Sequence, residues 1–288
     1  MTKKSIYFFG IILGSFLIVS CGSNEGRNAL MESSPTEDIS NPEPYFIEFM
    51  ACEGGPGFNS ENMTSMIADY QKLLTDDSLR GAWGYVPAAD TNAFGDTGWW
   101  ELMWSSQEEA DAAWQSWSSN PDAVAWSEKY ADVLTCDVEG RNALDAIFPI
   151  AATEFGELPE SGYFFSEFYR CYYNEGSSKS DAVAFLPKYT AEVMANAEGF
   201  AGTSFHYGNY YAQLNEQGSH TENGIDFLWA SFTNSAESMA KSDEVFETKM
   251  RSILFPQFSE FAQCDEVPDI YHGYVFYNAD DKDFMPTF

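Results

Sequence analysis

Tyr45-Phe-Ile-Glu-Phe-Met-Ala-Cys52 and Phe164-Phe-Ser-Glu-Phe-Tyr-Arg-Cys171 are one stretch written twice, 119 residues apart. Both carry Glu-Phe-x-x-Cys, and both are aromatic and β-rich, as a strand requires. The same offset sets Ile67 on Leu186, Tyr70 on Tyr189 and Leu74 on Val193. Later the offset becomes 128, matching Cys136-Asp137 to Cys264-Asp265 and Ile147-Phe148 to Val275-Phe276. Register held at both ends of two long segments marks an internal repeat. The nine extra residues of the second copy are placed in the polar, Gly-containing stretch Gln213–Gly224.

Each copy reads coarsely in the same order. Residues 45–52 form a strand. Met63, Met66, Ile67, Tyr70, Leu73 and Leu74 recur at helical spacing behind a cap at Asn59-Ser60. Residues 81–87 and Trp99–Trp104 form two more strands, joined through the turn Asp96-Thr97-Gly98. Ser106-Gln-Glu-Glu starts a helix, and Asn120-Pro121 restarts one that runs to about Cys136, with Pro at its favoured first position. Residues 144–150 close the copy as a fourth strand. The order β-α-β-β-α-β is the ferredoxin-like arrangement, so the expected fold class is α+β, two tandem ferredoxin-like repeats.

The stretch from Trp99-Trp-Glu-Leu-Met-Trp104 through Ser106-Gln-Glu-Glu to Asn120-Pro121 resembles the strand-to-helix signature of dimeric α/β-barrel domains, the superfamily that includes antibiotic-biosynthesis monooxygenases. Phe227-Leu-Trp-Ala-Ser-Phe-Thr-Asn-Ser-Ala-Glu-Ser-Met239 keeps it more loosely. The resemblance implies two four-stranded sheets facing each other across a barrel, here supplied by one chain. The expected organisation is repeat 1 over 45–150, a linker over 151–162, repeat 2 over 163–278 and a C-terminal tail over 279–288.

The first residues read as an export signal. Lys3 and Lys4 precede the apolar stretch Ile6–Val19, which is too short for a standard spanning helix. Leu17-Ile18-Val19-Ser20-Cys21 resembles the lipobox of bacterial lipoproteins. That resemblance implies cleavage of residues 1–20 and lipid on Cys21, with several acyl chains giving durable anchoring. Gly22, where Asp would retain the protein in the inner membrane, points to the outer membrane. Residues 21–44, rich in Ser, Asn, Glu and Pro, read as a lipid-anchored flexible tether. The expected location is the cell envelope, on the periplasmic or the exposed face, and the membrane is the expected partner.

The chain carries 45 acidic and 14 basic residues, a net charge of −31. Loss of Lys3 and Lys4 with the signal deepens this further. Such a surface repels phosphate backbones, which excludes nucleic acid as a partner. No EF-hand loop and no metal motif occurs, so no metal site is expected. Of five cysteines, Cys21 goes to lipid and four remain. The repeat pairs them within copies, Cys52 with Cys136 and Cys171 with Cys264, which an oxidising compartment permits. Closing such a loop is worth about 4 kcal/mol by loop-entropy arithmetic.

Candidates for chemistry are few. Glu48 and Glu167 hold equivalent places on half-buried strands, on the same face as their cysteines and opposite Phe49 and Phe168. A carboxylate there needs a partner or a shifted pKa, and Arg80 and Arg170 are the bases considered. His206, in Phe205-His-Tyr-Gly, is a candidate general base or axial haem ligand if it faces the barrel. His220 falls in the polar insertion. Trp99, Trp100, Trp104, Tyr207, Tyr210 and Tyr211 are candidate cavity-lining residues. Three readings stand in order: a non-catalytic binder of a small apolar or aromatic molecule; a cofactor-independent or haem-dependent oxygenase-type enzyme; and a structural or protein-interaction lipoprotein with a filled core. No cofactor is expected under the first, haem only under the second. The activity is expected between the two sheets. Whether the copies pair within one chain or between chains is left open.

Overall fold

The structure, a computed structural model, describes residues 44–74, 77–213 and 224–288. The export signal, Cys21, all but the last residue of the tether, and His220 lie outside the described residues. Among the described residues no helix is long and apolar enough to cross a membrane.

The first half runs β1 (Tyr45–Gly54), α1 (Ser60–Gln71), β2 (Leu79–Pro87), β3 (Gly98–Trp104), α2 (Gln107–Ser119), α3 (Pro121–Lys129), β4 (Leu134–Cys136) and β5 (Asn142–Ile147). The second runs β6 (Tyr163–Tyr173), α4 (Lys179–Ala195), α5 (Ala197–Phe200), β7 (His206–Ala212), β8 (Phe227–Thr233), α6 (Ala236–Val245), a π-helical turn (Phe246–Met250), α7 (Arg251–Phe258), β9 (Ala262–Cys264) and β10 (Asp269–Asn278). Local chemistry sets the boundaries. The Asn59 and Ser106 side chains accept from the backbone N–H of Asn62 and Glu109, and Asn120 caps α3 ahead of Pro121. Ser178 and Asp181 form a capping box at α4.

Eight strands close into one antiparallel barrel in the order β2-β3-β1-β5-β7-β8-β6-β10, with β10 pairing back onto β2. Each half contributes four strands in the order fourth, first, third, second. The halves meet at two seams, β5–β7 and β10–β2. The fold is therefore mixed α+β around an eight-stranded closed barrel built by one chain. Helices cover the outside of the barrel wall. Strand alternation sends Ile47 and Phe49 inward while Phe46, Met50 and Cys52 face the helices.

Two expectations shift. The helix drawn from Asn120-Pro121 to Cys136 ends at Lys129, and Leu134–Cys136 is a short strand on β1. Leu-Thr-Cys favours extended backbone once Tyr130 and Val133 turn the chain by the bond from Val133 N–H to Tyr130 O. The nine-residue excess also does not sit in one place. By strand register Tyr85 matches Tyr210, an offset of 125, so most of it lies in the longer α4 and in α5, ahead of the polar loop. Cys52 is joined to Cys136, and Cys171 to Cys264, each pair directly opposed across neighbouring strands with Cα atoms 4.0 Å apart.

Candidate functional site

The space between the two sheets is filled. Phe49 lies 5.6 Å from Tyr210 and 6.3 Å from Phe168 between ring centroids, and Tyr85 lies 5.4 Å from Phe168. Phe164 occupies the room that a Cβ on Gly273 would need, at 2.2 Å. A small recess of about 90 Å³ opens between Phe94, Trp99 and Tyr271.

Within this packing sits a residue that the sequence reading missed. Glu101 is 1% exposed. The Tyr85 hydroxyl donates to its carboxylate, and the Tyr210 hydroxyl is hydrogen-bonded to the same group. Burial pushes this carboxyl up to about 7 against the pull of both phenols. Tyr85 and Tyr210 are register equivalents, whereas the equivalent of Glu101 is Ala230. One acid thus serves two matched tyrosines. A signal was present: Glu101 interrupts the inward-facing positions Trp99 and Met103 of an otherwise apolar strand.

The larger cavity lies elsewhere. A chamber of about 290 Å³ separates the first-half sheet from α1, α2 and α3. Its walls include Trp100, Trp104, Trp114, Trp117 and Trp126, with Met66 and Tyr70 beneath. Ser78, Asn120 and Thr135 add polar atoms. Glu48, 4% exposed, anchors one wall from behind. Its Oε2 accepts from Trp114 Nε1 at 2.6 Å and Trp104 Nε1 at 2.9 Å, and its Oε1 pairs with Arg141 Nε at 2.6 Å. The Arg141 guanidinium also lies 4.8 Å from the Trp114 ring centroid, and its Nη1 donates to Val138 O. Both carboxylate oxygens are used, and two indoles are fixed in place.

The equivalent place in the second half is different. Strand register sets Thr233 and Pro268 where Trp104 and Arg141 stand, and the charge facing Glu167 from the helix side is that of Asp243. Glu167 is left with the Tyr169 hydroxyl at 3.4 Å. Burial and the charge of Asp243 push its carboxyl up to about 7. The sheet–helix layer here is packed by Phe185, Tyr189, Trp229, Phe258 and Phe261.

The predicted site residues therefore divide. Trp99 and Tyr210 face the barrel interior; Trp100, Trp104, Tyr207 and Tyr211 face the helices, because alternation puts neighbours on opposite sides. Glu48 and Glu167 also sit on the helix side. Arg80 and Arg170 are not their partners: Arg80 pairs with Asp280, and Arg170 with Asp265 and Asp269. His206 is buried, stacked 4.9 Å from Phe232 and bonded to Ser204 O; burial lowers its pKa to about 4. It lines neither cavity.

Haem does not fit these residues. No histidine lines the chamber, and His272 is engaged with Tyr163. Cys136 is oxidised, and the Tyr130 hydroxyl donates to Asp69 and Ser65 O. No side chain here stands ready as an axial nitrogen or thiolate ligand. Among the described residues no cluster of metal-binding side chains occurs.

No family model matches the chain, and no curated protein matches it. Solved structures do. A protein named as a monooxygenase from Lactobacillus acidophilus NCFM aligns with TM-score 0.43 and 9% identity over 81% of this chain and 94% of that one. The chlorite dismutase of Candidatus Nitrospira defluvii, solved in complex with imidazole, aligns with TM-score 0.45 and 10% identity over 83% and 94%. The filled space between the sheets corrects the first reading, that of a non-catalytic binder holding an apolar molecule there.

Proposed function

We propose that the chain is an oxygenase-type enzyme that works without a resident cofactor, on a small electron-rich aromatic substrate held in the first-half chamber. The observation that carries this is the chamber wall itself: two indoles locked by one buried carboxylate and one guanidinium, facing an open space. Such a wall is organised before any ligand arrives, which lowers the cost of ordering a planar ring. A phenol can supply all the electrons the reaction needs. Its O–H and a ring C–H become two C=O groups, one atom of O₂ enters the ring, and the other leaves as water. The chain's part is to hold the ring, to keep water off it and to fix its orientation.

Oxygen uptake with a panel of small phenols and hydroquinones tests this. The protein should accelerate uptake over buffer, and Ala113→Phe, which fills the chamber from α2, should lower the rate by about tenfold or more. Uptake no faster than in buffer, or untouched by that substitution, would remove the reading. The finer architecture belongs to the same proposal: the two halves are tandem ferredoxin-like copies of which the first kept a chamber and the second closed it. The lipid on Cys21, outer-membrane placement and the membrane as partner complete it. Cys21→Ser should move the protein out of the membrane fraction; continued membrane retention would rule the lipid out.

A further inference from the structure

The Cys52–Cys136 bond does more than close a loop. Cys136 belongs to β4, a three-residue strand whose one neighbour is β1. Leu134, Thr135 and Cys136 of that strand, and Val138 just after it, line the chamber. Val138 O also holds Arg141, which holds Glu48. So the disulfide is the one covalent tie on a strip of chamber wall otherwise held by three residues of strand pairing and by the flanking backbone bonds Asp137 N–H to Ala51 O and Gly55 N–H to Val133 O. Cys52 is buried and Cys136 is half-buried on an unpaired strand edge. The matching Cys171–Cys264 bond pins β9 against the packed second half, where Phe258 and Phe261 fill the layer.

We infer that Cys52–Cys136 is a redox latch on the chamber: its reduction by an envelope dithiol releases β4 and dismantles that wall, while reduction of Cys171–Cys264 leaves the chamber intact. This rests on the chamber being the reaction site only for its effect on turnover. The chemistry balances. A thiolate of the dithiol attacks Cys136 Sγ, the more accessible sulfur, and Cys52 leaves as a thiolate that takes a proton. The second thiol of the reductant then displaces Cys136. Two protein thiols and one oxidised dithiol result.

The test uses the full chain and follows hydrogen exchange of residues 134–138 together with near-UV circular dichroism of the tryptophans. Graded dithiothreitol, with free thiols mapped to each pair, separates the two bonds. Loss of Cys52–Cys136 should raise exchange over 134–138 by about tenfold or more and reduce the tryptophan signal. The double variant Cys171→Ser/Cys264→Ser, in which only the first bond remains, should keep the tryptophan signal until that bond is reduced. Unchanged exchange and dichroism after reduction of Cys52–Cys136 would overturn the latch. Failure of the oxygenase reading shows separately, as absent oxygen uptake in the fully oxidised protein.

Discussion

Glu101 shows how a single carboxyl ties stability to pH in the barrel core. Its pKa is raised from 4.5 to about 7, so the folded state binds the proton more tightly than the unfolded chain. The stability it confers is full below about pH 4.5 and is lost as pH rises through 7, by about 3 kcal/mol in all. Glu167, also raised to about 7, acts in the same direction. His206 acts oppositely: its folded pKa of about 4 means that stability present above pH 6.5 is lost as pH falls toward 4. Glu101→Gln cannot titrate and still accepts hydrogen bonds. Its melting temperature relative to the parent should therefore rise between pH 5 and pH 8, as calorimetry would show; a pH-independent difference would refute this assignment. At Glu48 the expectation concerns its ion-pair partner. Arg141→Met leaves a buried carboxylate with indole donors only and should cost about 3 kcal/mol in urea unfolding. Arg141→Lys should recover part of this, since an ammonium keeps the charge but cannot stack on Trp114 in the same way.

At the scale of elements, the β10–β2 seam is fitted through a missing side chain. A Cβ on Gly84 of β2 would lie 1.9 Å from Phe276 Cζ, and Phe276 packs 4.7 Å from Trp100 at the edge of the chamber. Gly84→Ala should destabilise by about 2 kcal/mol, because the Phe276 ring, packed against Trp100 and Phe288, has nowhere to withdraw. A melting shift below one degree would contradict it. The π-helical turn Phe246–Met250 in the second half places Met250 fully in the core between α6 and α7, where the first half instead breaks α2 from α3 at Pro121. The same strand framework therefore carries two different outer layers, one hollow and one packed.

For the whole molecule, closure is the governing fact. Separated between β5 and β6, each half would expose the unpaired edges of β5 and β2, or of β7 and β10, along with an aromatic inner face. Residues 151–162 and 279–288 reinforce the closure. The Phe155 ring lies 5.5 Å from that of Phe200, Thr287 N–H donates to Ser161 O, and Gln71 bonds both Phe276 O and Phe284 O. Residues 44–150 expressed alone should self-associate or aggregate in size-exclusion chromatography. A stable monomeric half would show that the seams contribute little.

The sequence by itself determined the order of the long strands and helices, the duplicated Glu-Phe-x-x-Cys stretch and the sidedness of β1, because periodicity and caps are local properties of neighbouring residues. It also brought Glu48 and Glu167 forward together. Only the tertiary structure decided that they differ, since their partners Arg141 and Trp114 or Asp243 arrive from other elements. It also decided which aromatics face in. Trp99 and Trp100 are indistinguishable by composition, and one residue of register sends one to the barrel interior and the other to the chamber. The hollow itself was never legible. A cavity is the volume left when side chains from distant segments fail to meet, and no single segment encodes that remainder.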